Sequence, residues 1–496
     1  MITENATVEG NAAPADQLED IISNVRITTT TGEESVVSKK ILDEFKNSLR
    51  GKLVGTNDAV YDEVRKVHNG MIDKRPAMIV QCTTVTDIIA SVNFARKNNL
   101  LVAVRGAGHN VAGSSVCDGG IVIDLSGMKG VRIDPTHRTV RVEPGVTWGE
   151  LSHDLQVFGL AATGGYVSTT GVSGLTLGGG LGWLLRKHGM ALDNLLSADV
   201  VTADGRLLTA DSTQNEDLFW GVRGGGGNFG IVSSFEFKVH PAGTVLGGLV
   251  LHPASKGRKA LQYWRDFSNQ SPMELTGGAL LFHPPAELPL PEVLHQEGIV
   301  AMGGVYTGTL SIGEEVLRPL REFGPPAADI FQPMPYSAAQ TMADFLWPRG
   351  LYNYWKSNFL NGLDDGAIDT MLKFFASAPS PRTVVVLEHI GNCAMSQIGE
   401  DETAFGNRNC EFNFLVTSEW TDAADSETNI QWTREFYDAM KPFMAKAVYL
   451  NYIGDEGQDR VKEGYGKKYE RLAILKRKYD PDNMFRINQN IAPAKA

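Results

Sequence analysis

The sequence predicts an α+β fold in two parts, and three observations carry that expectation. Residues 76–104 read as strand, helix, strand, the order of a parallel crossover unit. Glycine makes up 53 of 496 residues, and the excess is concentrated between positions 104 and 230, so backbone must approach something closely there. From about residue 242 to 450 glycine thins and aromatic residues rise, with Pro-rich breaks at 284–291 and 325–336, which marks a second, mixed part.

Taken in order, residues 1–44 contain the run Thr28–Thr31 and few large apolar groups, and read as a loosely held extension with order beginning near Ser38. Pro76–Cys82 is a short strand. Thr84-x-x-Asp87 then offers a capping box for a helix whose apolar face is Ile88, Ile89, Val92 and Phe94. The strand Leu101–Val104 follows, and the turn Arg105–Asn110 sits where such units hold ligands. Next come a strand at Ile121–Asp124, a hairpin from Val131–Asp134 to Thr139–Val142, and a helix from about Thr147 to Phe158. Residues 198–208 read as a hairpin closed by the two-residue turn Asp204-Gly205. A short helix opens at Asp217, and a strand runs from Ile231 to Val239. After the second part, a helix from Val461 to Tyr479 is stopped by Asp480-Pro481 and leads to an extended tail, Met484–Pro493.

Charge and composition exclude several functions. With 46 basic against 58 acidic residues the net charge is −12, so a nucleic acid would meet repulsion. The one basic cluster, Lys467, Lys468, Arg471, Lys476, Arg477 and Lys478, reads as a solvated helix face. Four cysteines without a Cys-x-x-Cys pair support neither a disulfide scaffold nor a metal site, and no metal is expected. Leu155–Leu185 carries no charge, but its nine glycines and many hydroxyl residues make poor transmembrane helix, so turns threaded through a buried site are expected and no membrane partner. The N-terminus lacks the basic-then-apolar order of a secretory signal, which implies a cytoplasmic location.

Gly106-x-Gly108 alone falls short of a dinucleotide fingerprint, because the third glycine is displaced to 113 and no helix opens behind it. Three clusters together, 106–113, 164–182 and 224–230, supply unhindered N–H groups of the kind that cradle a pyrophosphate, and imply one long ligand. His109, inside the first cluster, is placed to act as a nucleophile toward an electrophilic cofactor carbon.

An ordered set of motifs then resembles a known family. Arg105-Gly-Ala-Gly-His-Asn110, Leu177-Gly-Gly-Gly-Leu-Gly-Trp183, Arg186-Lys-His-Gly189, Asp217-Leu-Phe-Trp220, Arg223-Gly-Gly-Gly-Gly-Asn-Phe-Gly230, Tyr449-Leu-Asn-Tyr452 and Asn488-Gln-Asn490 resemble the berberine-bridge-enzyme-like branch of the vanillyl-alcohol-oxidase flavoproteins, over about residues 45–494. The resemblance implies a two-part PCMH-type FAD-binding domain at 45–240 and 455–496, and a substrate domain at 241–454 built as an antiparallel sheet with helices on one face.

The same resemblance implies FAD linked covalently to His109. Many members add a second link from a cysteine at the position of Val167, so a single bond is expected here. The implied cofactor residues are Arg105, Gly106, Ala107, Gly108, His109 and Asn110; Gly164, Gly165, Val167, Thr170, Gly171, Gly174, Gly178, Gly179 and Gly180; Gly230, Ile231 and Val232; and Asn451, Asn488 and Asn490. The reaction implied is oxidation of an alcohol, sugar or amine, with Tyr452 as base and electrons passed to O2. A free phenol has a pKa near 10, so a nearby cation or a concerted transfer must help Tyr452. Glu411 and Asn413, on one face of a strand, stand where relatives place a partner for that tyrosine. Lys356 is a further binding candidate, and Trp347, Tyr352, Tyr354 and Trp355 suggest a flat apolar wall for a small-molecule substrate. Thr170 stands where relatives adjust oxygen access with an apolar residue. A dehydrogenase or reductase using another acceptor, or a flavin-binding protein without turnover, are the alternatives.

Overall fold

The computed structural model describes residues 24–495. The crossover unit forms as the sequence implies. Thr84 accepts from the Asp87 N–H, and the Asp87 carboxylate accepts from the Thr84 backbone, so both ends of the capping box close before the helix Val85–Lys97 buries Ile88 and Val92. Strands Met78–Gln81 and Val102–Arg105 both pair in parallel with Ile121–Asp124, which lies between them, and Lys52–Gly55 closes the edge antiparallel.

Part of the expected loose extension is ordered. Val25–Thr28 and Glu34–Val37 form a hairpin whose Ile27 and Val37 are buried in the core that also holds Phe45 and Phe94. Strand alternation puts one apolar residue of each short strand inward, a signal too brief to stand out beside the threonines. Residues 1–23 of that extension lie outside the described residues.

A five-stranded antiparallel sheet follows, in the order Leu207–Asp211, Leu195–Val201, Ile231–Lys238, Thr139–Val142, Val131–Asp134. The 198–208 hairpin is closed differently from the expectation. The Thr202 N–H bonds the Arg206 carbonyl, leaving a three-residue turn in which Gly205 adopts φ +81°.

The second part is an eight-stranded antiparallel sheet, with Thr244–Pro253, Leu275–Phe282, Ile299–Tyr306, Tyr352–Leu360, Val384–His389 and Phe412–Trp420 as its long strands. Helices Gly257–Gln270, Leu310–Glu322, Asp365–Phe375 and Ser426–Met440 cover one face, meeting residues such as Val385, Leu387, Phe414 and Val416. The alternate residues, Val384, Val386, Leu415 and Trp355, turn to the opposite face and pack toward Val111, Trp183 and Leu184 of the glycine-rich part. That face, not the helical one, builds the site.

The C-terminal helix is broken where continuity was expected. Gln458–Tyr465 ends at Gly466, φ +54°, and a second helix, Tyr469–Tyr479, continues beyond a short turn. Nor is the basic cluster simply solvated. Lys476 is fully buried, bonding the carbonyls of Asn228 and Phe485 and the Asp480 carboxylate at 2.7 Å. Lys468 bonds the carbonyls of Glu400, Thr403 and Phe405. These ammonium groups tie the last helix to distant loops. Among the described residues, no helix is long and apolar enough to cross a membrane.

Candidate active site

One large cavity lies between the glycine-rich turns and the open face of the eight-stranded sheet, and all three glycine clusters reach its wall. Gly106, Ala107, Gly108, His109 and Asn110 supply one edge; Gly165, Val167, Thr170, Gly171, Gly174 and Gly178 another; Gly230, Ile231 and Val232, with Asn451, Tyr452 and Asn488, complete the sequence-predicted set that lines it. At Gly174 and Gly227 nothing lies within 4 Å of where a Cβ would stand, so a larger residue would take cavity space. The helix Val172–Gly178 starts at Gly171 without a side-chain cap; the Val172 N–H bonds the Val146 carbonyl, and the next two residues, Ser173 and Gly174, line the cavity.

Several predicted cofactor residues are not in that wall. Arg105 points into the protein and pairs with the buried Asp124, its Nε donating at 3.0 Å. Gly164 packs under the Trp148 ring, where a Cβ would come within 2.3 Å. Gly179 and Gly180 pack against Tyr449 and Ala191, and the Gly180 N–H donates to the Tyr449 hydroxyl at 2.8 Å. Asn490 is half-buried, its Oδ1 covered and without a partner, while its neighbours Asn488 and Gln489 line the wall. These three glycines allow close packing behind the cavity wall.

His109 is half-buried. Its ring stacks on His68 with centroids 3.9 Å apart, and Nε2 lies 3.3 Å from the Thr169 hydroxyl. Burial, reinforced by His68, pushes its pKa down to about 3, so the ring is neutral near pH 7. No cysteine lines the cavity: all four are buried and free elsewhere, and Val167 stands on the wall with no thiol beside it.

Across the cavity the Tyr452 hydroxyl donates to Glu388 Oε1 at 3.0 Å. Glu388 is the next-to-last residue of the strand Val384–His389 and is 5% exposed; burial pushes its pKa up to about 7, against the pull of hydrogen bonds from Asn413 and Tyr452. Asn413 Nδ2 donates to Glu388 Oε2 at 2.6 Å, and the Ser357 hydroxyl donates to Asn413 Oδ1 at 3.1 Å. The Tyr452 pKa is raised well above its ordinary value, first by burial and then by Glu388. No Lys or Arg lines the cavity among the described residues, so the cation that could have lowered it is missing.

Glu388 is the residue that sequence reasoning missed. Glu411, the expected carboxylate, precedes the strand Phe412–Trp420 and does not line the cavity; the strand register pairs Asn413 with Glu388 instead. A glutamate set among apolar residues of a buried strand was the available signal. Lys356 is also displaced from the site, paired with Glu456 at 2.7 Å. Of the four expected wall aromatics, Trp347 and Trp355 line the cavity. Tyr352 and Tyr354 alternate to the other side of their strand, Tyr352 against Trp420 and Tyr354 against Arg434.

The chain is similar to known proteins in sequence and in fold. Residues 76–211 match the family described as FAD binding domain, and residues 448–492 the family described as berberine and berberine like. The chain is 30% identical over 456 residues to an FAD-linked oxidoreductase of Dictyostelium discoideum, spanning 92% of this chain and 97% of that protein. It is 30% identical over 459 residues to (R)-6-hydroxynicotine oxidase of Paenarthrobacter nicotinovorans, spanning 90% and 97%. The crystal structure of 6-hydroxy-D-nicotine oxidase from Arthrobacter nicotinovorans matches with a TM-score of 0.82 at 28% identity, covering 90% of this chain and 99% of that one. The BBE-like 1 protein of Physcomitrella patens shares the fold, with a TM-score of 0.82 at 22% identity and coverage of 92% and 99%.

Fold and cavity define a PCMH-type, FAD-linked oxidoreductase. The chain belongs to the berberine-bridge-enzyme-like family of these flavoproteins. FAD suits the residues present: glycines from three turns line the cavity, where their backbone can approach a diphosphate, and at Gly174 and Gly227 no atom lies within 4 Å of where a Cβ would stand.

Proposed function

We propose that this enzyme is an oxidase that takes two electrons from an alcohol, sugar or amine carbon of a small molecule and delivers them to O2, with Tyr452 and Glu388 removing the proton. The observation that carries this reading is the Tyr452–Glu388 hydrogen bond at the cavity wall. When bound, the flavin supplies the two-electron acceptor.

The chain's own residues handle the proton. As the substrate O–H or N–H proton moves to the Tyr452 oxygen, the Tyr452 proton moves to Glu388 Oε1, so a full phenolate never forms and its raised pKa is no obstacle. Asn413 bonds Oε2 and holds the carboxylate with Oε1 toward the tyrosine, a positioning role. Glu411 has no part in this reading.

His109 is assigned as the single covalent anchor of the flavin, supported by its place on the cavity wall, its neutral ring and the valine at 167. The division into a cofactor part, 45–240 with 455–496, and a substrate part, 241–454, belongs to the same reading. So does the cytoplasmic location, for which four free cysteines speak. The test is anaerobic bleaching of the flavin band by substrate, followed by air. Fast return of colour supports the oxidase; slow return with rapid oxidation by an artificial acceptor supports a dehydrogenase.

A further inference from the structure

The sheet side of the cavity has a one-sided chemistry. Trp347, Trp355, Leu280, Val386 and Leu415 form its wall. The Trp347 indole N–H is already taken by the Thr417 hydroxyl at 3.0 Å, which fixes the ring and leaves its apolar faces. Trp355 stands edge-to-face with Tyr452, centroids 6.1 Å apart, so a flat apolar surface adjoins the proton-accepting pair. Polar side chains lining the cavity such as Asn110, Thr170, Ser173 and Asn488 stand on the glycine-rich turns and the C-terminal tail, the side assigned to the dinucleotide.

We infer that the substrate is an amine or alcohol carried on an aromatic or otherwise apolar skeleton, and is neither a sugar nor a carboxylate. This rests on the oxidoreductase reading above and narrows it. A sugar would bring a ring of hydroxyl groups to a wall where Tyr452 and Glu388 are engaged with each other and with Asn413, and where the Tyr166 hydroxyl and the Trp183 and Trp355 indole N–H groups, though unpartnered, are buried under protein atoms. Each hydroxyl left without a partner on burial is a penalty that an apolar ring does not incur. A carboxylate would meet Glu388 with no Lys or Arg in the cavity wall, among the described residues, to balance the two charges. An aromatic ring gains from burial against the indoles, and a protonated amine gains further from the Glu388 carboxylate.

The experiment titrates the anaerobic FAD-loaded enzyme with 1-phenylethylamine and benzyl alcohol, with D-glucose and cellobiose, and with lactate. It follows two readouts: perturbation of the visible flavin band, which reports binding, and its bleaching, which reports oxidation. At least one aromatic probe is expected to bind about tenfold or more tightly than any sugar or lactate, and Trp355→Ala to reduce that preference at least about fivefold while Trp355→Phe retains most of it. Aromatic probes that bind preferentially without bleaching the flavin support the substrate class and count against the catalytic reading. Sugars or lactate binding as tightly as the aromatic probes, or no aromatic probe binding at all, overturns the class; sugars that bind and bleach do so while leaving the oxidoreductase reading intact.

Discussion

The hydroxyl of Tyr452 donates to Glu388 Oε1 at 3.0 Å, joining a turn near the C-terminus to the end of a strand 64 positions earlier. Both groups are kept protonated more readily than in water, Tyr452 by burial and by the glutamate's charge, Glu388 by burial alone. A pair of this kind exchanges a proton in one concerted motion more easily than either partner releases one to solvent.

Ser357 fixes the far end of that pair. Its hydroxyl donates to Asn413 Oδ1, which orients the amide so that Nδ2 meets Glu388. Ser357→Ala is expected to lower kcat about three- to tenfold, the worth of one buried hydrogen bond, with KM little changed, and Ser357→Thr to recover most of the loss. Steady-state kinetics of the two variants checks this.

His109 carries the covalent assignment. The wild-type protein is expected to keep its yellow colour in the pellet after acid precipitation, and His109→Ala to release flavin to the supernatant while still folding. Absorbance of the two fractions decides.

Asp344 pins the wall segment that bears Trp347 to the 165–170 turn. One carboxylate oxygen accepts the Ser168 N–H at 2.8 Å and the other the Ser168 hydroxyl at 2.6 Å. Asp344→Ala is expected to raise KM about five- to tenfold with kcat changed less than about twofold, because binding geometry loosens while the proton acceptor is untouched. Asp344→Asn keeps an acceptor for the N–H and should behave nearly as wild type.

Glu419 offers a test of stability. It is fully buried with neither carboxylate oxygen bonded, and burial pushes its pKa up to about 8. A group whose pKa is higher folded than unfolded favours the fold at low pH, and that advantage fades as pH rises from the ordinary carboxylate range through about 8. Glu419→Gln, whose amide could donate to the unpartnered Asn353 Oδ1 on the facing strand, is expected to match wild type near pH 5 and to melt about 2–4 °C higher near pH 9. Thermal melts at the two pH values measure it.

Much of this was legible in the residues. The capping box at Thr84, the crossover strands and the glycine clusters are local signals, and local signals survive translation into structure. His109 and Tyr452 were legible through motifs. What escaped was set by register and burial. Glu388 meets Asn413 only because two strands pair with a particular alignment, 25 positions apart. Lys468 and Lys476 read as surface charges because the carbonyls that receive them come from chain segments far away. Tyr352 and Tyr354 failed as wall residues through strand alternation, which the run of aromatics concealed.

Single-turnover bleaching of the flavin by substrate, measured without oxygen from about pH 6 to 9 in wild type and Glu388→Gln, addresses the proton-accepting pair directly. The wild-type rate should climb as pH passes through about 7, where Glu388 ionises, and the variant should be about a hundredfold slower with that rise gone. A glutamine variant that keeps the wild-type rate and the same climb would contradict the assignment.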